Sequence, residues 1–258
     1  MNTHLDAHLK QLRLPGIREN LAIRLQEAQG SQLGHAQFLE LLVQDELALR
    51  TDRKIARALK AARFKNLKPL DRFDWQFNPN LDCRRILELA TCAFIREHTD
   101  LLMIGPPGTG KTHLAQGIGY EAIKRGYSVR YISIFELVRE LMDEEALASG
   151  RLLSKYLKPD LLIIDDMGLK QLPARAGEHL FEVIMRRYEL RSTLMTSNRP
   201  IEDWGHLIGD VPAAGAILDR LLQSAEVIPF KGRSYRLRNK TEKQPGIPVD
   251  NQEEKGDL

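Results

Sequence analysis

The chain has 258 residues, 43% of them apolar, and its 38 basic and 35 acidic side chains leave a net charge of +3. That is enough for one ordinary domain plus a smaller one, and no run approaches the roughly 18 to 20 apolar residues of a membrane span. The N-terminal MNTHLDAHLKQLRLPG is broken by charge and lacks the apolar stretch of a signal peptide. A soluble, reduced, cytoplasmic protein is therefore expected.

In chain order, residues 3–65 carry helical periodicity only. Ile17, Leu21, Leu25 and Ala28 recur at helical spacing, and FLELLVQDELALR runs on into RTDRKIARALKAARF. His4 and His8, one turn apart near the terminus, read as surface residues. Between Arg50 and Arg72 nine basic residues face two acids, Asp52 and Asp71, a local charge of +7. Projected at 100° per residue, Arg50, Arg53, Arg57 and Lys60 fall within an arc of about 80°, with Ile55, Leu59 and Ala62 on the opposite side. One face should pack while the other presents a row of positive charge, and Asp52 projects away from that row. Such a row is usually a solvated face laced with i,i+4 acids. Uncompensated, it is the footprint of phosphate-backbone binding. Arg50, Arg53, Lys54, Arg57 and Lys60 are thus candidate DNA contacts, and with no feature for base readout little sequence specificity is expected.

NLKPLDRFDWQFNPNLD, with Pro69 and Pro79, interrupts the helical pattern and reads as a linker. From Asp82 onward short apolar runs (LLMIG, VRYISI, LLIIDD, STLMTS, EVIPF) alternate with helical stretches such as AQGIGYEAIKRG and EHLFEVIMRRYELR. That pattern predicts a parallel sheet covered on both faces. Cys83 and Cys92, nine positions apart on one predicted helix, would lie about 180° from each other and could not bridge, and nothing has metal-ligand spacing. The tail after Arg238, NKTEKQPGIPVDNQEEKGDL, is polar and aperiodic and is expected to be disordered. The predicted organisation is a helical N-terminal DNA-binding domain (1–66), a linker (67–82), an α/β domain (83–238) and the tail (239–258).

Gly105-Pro106-Pro107-Gly108-Thr109-Gly110-Lys111-Thr112 fits G-x-x-x-x-G-K-[ST] between a predicted strand and a predicted helix. Its glycines let backbone N–H groups curl around an anion, and the helix N-terminus adds its dipole. Lys111 would reach the β- and γ-phosphates of ATP, and Thr112 would ligate Mg²⁺. In LLIIDD an apolar strand delivers two carboxylates to its C-terminal edge: Asp165 suits the Mg²⁺ shell, through water, and Asp166 could polarise the attacking water. Asn198, ending STLMTSN, could hold that water, although Thr-Ser-Asn alone is also an ordinary turn. In GAILDRLLQ, residues 215–223, Arg220 stands inside an apolar helical stretch. An arginine there is expected to be paired or needed.

Phosphate loop, acidic strand, polar strand end and arginine follow the order seen in AAA+ ATPases. GPPGTGKTHLAQGIGYEA, LLIIDDMG, FEVIMRRYELRSTLMTSNRPIEDWG and ILDRLLQSAEVIPFKGRSYRLR together resemble the IstB-like proteins over about residues 5–238. These are helper ATPases encoded beside the transposase of certain bacterial insertion sequences, related to DnaC-type helicase loaders. The resemblance implies a P-loop AAA+ core behind a small all-α domain, and a homo-oligomer with ATP sites at subunit interfaces. Asn198 becomes a γ-phosphate sensor, Arg220 an arginine finger acting on a neighbour's ATP, and Arg236 a second sensor in its own subunit. It also implies binding of duplex target DNA and a cognate transposase as partner. Two features depart from the broader AAA+ pattern: Asp166 stands where most carry the longer Glu, and no helical lid domain has room after Arg236. The alternatives are a replicative helicase loader, a P-loop kinase of a small substrate, ATP as a static clip, and an intramolecular salt bridge for Arg220.

Overall fold

The computed structural model describes residues 3–147, 151–173, 175–208 and 211–237, so the tail assigned to 239–258 lies outside the described residues. Three helices come first: α1 (Thr3–Gln11), α2 (Pro15–Gly30) and α3 (His35–Ala62). Pro15 opens α2 where a missing N–H costs no helical hydrogen bond. α3 runs 28 residues without Gly or Pro. The α2 start packs so tightly on α3 that a Cβ on Gly16 would lie 2.6 Å from the Glu46 Cα. Glu46, only 5% exposed, accepts from the N–H groups of Gly16 (2.6 Å) and Ile17 (3.3 Å) and pairs with Arg50 at 2.7 Å. Leu9, Leu21 and Leu42 form the small core of this bundle.

Five parallel strands follow: β1 (Asp100–Ile104), β2 (Val129–Ser133), β3 (Leu161–Met167), β4 (Ser192–Ser197) and β5 (Ala225–Pro229), in the order β2-β3-β4-β1-β5. Before them come α4 (Cys83–Leu89) and α5 (Ala93–Arg96), and between them run α6 (Lys111–Lys124), α7 (Ile134–Leu147), α8 (Arg151–Leu157), α9 (Ala176–Arg187), α10 (Trp204–Ile208) and α11 (Val211–Ser224). Each apolar run of the sequence is a strand. Alternation along them sends Leu101, Met103, Ile163 and Leu194 to one core and Leu102, Leu162, Ile164 and Met195 to the other. α6 covers the first face; α7, α9 and α11 cover the second. No helical lid follows β5 among the described residues.

The packing face expected of α3 is present: Ile55, Ala58 and Leu59 pack against the first core and Ala62 is fully buried in it. One helix therefore belongs at one end to the N-terminal bundle and at the other to the sheet. Its end is tied down by Arg130 Nη1 donating to Ala61 O (3.2 Å) and by the ion pairs Arg63–Glu140 (3.9 Å) and Lys65–Glu136 (3.2 Å).

The segment 67–82 is mostly irregular, with one 3-10 turn at Leu70–Arg72, yet it lies on the α/β core. Leu70 fills the space left by Gly117 of α6, and His113 Nε2 meets Pro69 O at 3.0 Å. The cysteines need a correction. α4 ends at Leu89, the chain tightens through Thr91 N–Glu88 O and Cys92 N–Leu89 O bonds, and Cys92 adopts φ 65°. They therefore do not share a helix, and both are free thiols.

Candidate nucleotide site and basic groove

The strand β1 feeds the glycine loop, and the loop feeds α6 at Lys111. Gly108 (φ +81°) and Gly110 (φ +103°) adopt left-handed conformations that favour glycine. A Cβ would also collide, at Gly110 with the Phe73 ring (2.6 Å) and at Gly108 with Ser234. The loop is thus clasped between the segment 67–82 and the segment after β5, where Tyr235 N donates to Gly108 O (2.9 Å). Lys111, 5% exposed, folds over the loop and donates to Gly105 O (2.6 Å) and Pro106 O (2.7 Å). Burial pulls its ammonium down to about 8, against the opposing pull of Asp165 and Asp166.

The acidic pair sits on a β-bulge. β3 and β4 are in register at Ile164–Met195 and again at Met167–Ser197, so one residue is extra on β3. Such a bulge re-aims side chains, and Asp166 takes up the strain at φ +68°. Asp165 is fully buried and accepts from Thr112 Oγ1 (3.0 Å), Tyr131 Oη and Thr196 Oγ1. Asp166 is raised by burial and by the Asp165 charge, opposed by Arg236, Lys65 and Lys111. A carboxylate whose affinity for protons is raised is suited to accepting one.

These parts line one cleft of about 390 Å³: the loop from Pro107 to Thr112, Asp166, Asn198, Tyr235 and Arg236, with Phe73, Phe77 and Asn78 on the far wall. Asn198 is held by its N–H on Met167 O at 2.9 Å. The glycine cradle fits a polyphosphate, and the paired oxygens of Thr112 and Asp165 are the hard donors that Mg²⁺ takes. The far wall did not emerge from periodicity, because it comes from the stretch where periodicity stops. Its one sequence signal is the density of aromatic residues in FDWQF.

Arg220 is not in this cleft. On α11 its neighbours Ile217 and Leu221 are buried, but its own side chain is 42% exposed. Nη1 lies 3.5 Å from Gln223 Oε1 and 3.7 Å from the exposed Asp219 carboxylate, and the guanidinium stands 5.8 Å from the Tyr188 ring centre. An apolar stretch on an amphipathic helix still has a wet face, and Arg220 stands on it. The deeply buried arginine is Arg187, 1% exposed, which donates to the carbonyls of Tyr156, Pro159 and Ser192 and to Thr193 Oγ1. Burial pulls Arg187 down to about 10.

The basic row on α3 forms one wall of a second concavity of about 960 Å³, whose other residues include Lys10, Arg13 and Arg18 from α1, α2 and the turn between them. Arg50, Arg53, Lys54 and Arg57 line it, whereas Lys60 lies beyond it on the exposed helix surface. The row is less uncompensated than the helical projection implies. Arg50 is bound by Glu46 and caps Arg13 O (3.0 Å), and Arg53 has Glu19 of α2 at 3.7 Å.

The sheet order, the loop at the end of β1 and the acidic bulge on β3 define an ATP-binding P-loop domain of AAA+ type. Over residues 7–243 the chain matches the IstB-like ATP-binding proteins, and it belongs to that family. A Geobacillus stearothermophilus protein named for ATP binding in insertion sequence IS5376 is 38% identical, covering 93% of this chain and 96% of the relative. Its IS21 counterpart from Pseudomonas aeruginosa is 34% identical over 92% of this chain and 89% of its own. Among solved structures, DnaI (24% identity, TM-score 0.51, 68% of this chain and 92% of that one) shares the fold. So does DnaA bound to AMPPCP and single-stranded DNA (22% identity, TM-score 0.54, 68% and 54%). No helix among the described residues is long and apolar enough to cross a membrane.

Proposed function

We propose that this protein is an ATP-hydrolysing helper of transposition that assembles on duplex target DNA and presents that DNA to its cognate transposase, with hydrolysis controlling assembly. The observation that carries the reading is the separation of two arginines. Arg236 shares the cleft with Lys111, Asp166 and Asn198, whereas Arg220 stands outside it on the surface of α11. A neighbouring subunit's nucleotide gives that second arginine a use.

In this reading the loop amides and Lys111 hold the β- and γ-phosphates, and Arg236 contacts phosphate in its own subunit. Thr112, and Asp165 through water, would hold Mg²⁺, which would supply charge neutralisation along the phosphates. Asp166 accepts a proton from the attacking water and Asn198 orients that water. Asp166 is one methylene shorter than Glu, so turnover is slow. The groove of α3 takes the DNA backbone through Arg50, Arg53, Lys54 and Arg57, joined by Lys60 along the helix and by Lys10, Arg13 and Arg18 opposite. The insertion-sequence names of the relatives support transposition over helicase loading.

The test mixes two inactive variants, Lys111→Ala and Arg220→Ala, under conditions where assemblies form. Some interfaces then pair an intact loop on one chain with an intact Arg220 on the next, and part of the ATP turnover is expected to return. No recovery at any ratio, despite demonstrated co-assembly, would overturn the shared site.

A further inference from the structure

The fully buried Asp165 is held from both of its oxygens. Oδ1 accepts from Thr112 Oγ1 of α6 at 3.0 Å and from Thr196 Oγ1 of β4. Oδ2 accepts from the Tyr131 hydroxyl of β2. A carboxylate turns readily about its last side-chain bond, because that torsion is broad. Donors on Oδ1 alone would let the group tilt, whereas a donor on Oδ2 fixes its plane as well.

Sheet register brings Tyr131 to this place. It pairs with Ile163 across β2 and β3, and Asp165 stands two residues further along β3 on the same face. Diagonal neighbours of this kind are roughly 7 to 8 Å apart, within reach of an aromatic side chain. The Tyr131 ring is 5% exposed and belongs to the first core. Phe64, just past the end of α3, stands 5.8 Å from it between ring centres. Phe64 is backed in turn by Gly119 of α6, where a Cβ would lie 2.9 Å from its Cζ. A phenylalanine at 131 would fill this space without burying a hydroxyl, a group that costs free energy in a core unless it is bonded. The hydroxyl that is there donates to Asp165.

We propose that Tyr131 is a positioning residue of the Mg²⁺ site: its hydroxyl holds Oδ2 of Asp165 so that Oδ1 stays turned toward Thr112. This rests on reading Thr112 and Asp165 as the residues that hold Mg²⁺ beside ATP.

The experiment measures ATP binding to the full chain by calorimetry, in EDTA and across a Mg²⁺ titration, for wild type, Tyr131→Phe and Phe64→Leu. Tyr131→Phe is expected to raise the Mg²⁺ concentration that half-maximally tightens ATP binding by roughly tenfold, the usual loss when a group orienting a metal's ligand is removed. Its ATP affinity in EDTA should stay within about twofold of wild type. Phosphate release by this variant should be slow at low Mg²⁺ and return toward the wild-type rate as Mg²⁺ is raised, a rescue that a structural defect would not show. Phe64→Leu loosens the same packing but keeps the hydroxyl, so its Mg²⁺ requirement should stay within about twofold of wild type. An unchanged requirement in Tyr131→Phe, an equal shift in Phe64→Leu, or a Tyr131→Phe chain that does not fold would overturn the positioning role. ATP binding to the wild-type chain that Mg²⁺ does not tighten would overturn the Mg²⁺ site itself.

Discussion

The cleft and the groove both gather cations suited to phosphate, yet they are built in opposite ways. In the cleft the charge is buried and held by the main chain: Lys111 rests on two carbonyls of its own loop, with the acids of β3 a few residues away in space. In the groove the charge sits on long exposed arms, with the side chains of Arg50 and Arg53 56% and 53% accessible. A buried cation is screened little by salt, whereas exposed ones are screened within about 10 Å at 0.1 M. The first region can therefore discriminate by geometry. The second can attract a polyanion without reading it.

The sharpest way to break this contrast is to remove charges on each side of it. Arg220→Ala is expected to bind ATP almost normally and to lose turnover on the order of 10³-fold, read by steady-state phosphate release. A fold destabilised in proportion to lost activity would instead assign Arg220 to its own chain. Lys111→Ala should weaken ATP binding by roughly 10²-fold or more, since loss of one partner of a buried charge contact is costly, and calorimetry would measure it. Asp166→Asn should keep binding and slow hydrolysis by about 10². Normal turnover would place the base elsewhere.

Smaller effects sharpen the comparison. Because the free Lys111 titrates near 8, ATP affinity should fall roughly tenfold between pH 7 and pH 9, with proton uptake on binding. Stability moves the other way: the folded pKa lies below the unfolded one, so this lysine's penalty is relieved as pH rises from about 8 to its ordinary 10.5. In the groove, Arg53, Arg57 and Lys60 changed together to Ala should weaken DNA binding whatever the sequence. The slope of log affinity against log salt should flatten by roughly 0.9 per lost phosphate contact. An unchanged slope would mean a merely solvated face.

The sequence made the cleft's phosphate end legible because it is local: eight contiguous residues, then a strand whose own apolar run announces Asp165 and Asp166. The opposite wall was illegible because Phe73, Phe77 and Asn78 lie in a stretch without period, and only tertiary packing brings them to the cleft. The groove was half legible. A helical projection finds Arg53 and Arg57, and Glu46 stands at i,i+4 spacing from Arg50, but Glu19 and Arg13 arrive from other parts of the bundle. Arg220 shows the converse, since apolar neighbours in sequence say little about which side of a helix faces water.

α3 has one further consequence. At 1.5 Å per residue its 28 residues make a rod of about 42 Å, free of the prolines and glycines at which helices bend. One end forms the wall of the groove; the other is clamped to β2 and α7 by Arg130, Glu136 and Glu140. Ser133, where β2 ends, lies opposite Asp165 in the sheet, and Glu136 caps the helix that starts there. A load applied at the groove has no hinge along α3 in which to dissipate. It would arrive at the strand beside Asp165.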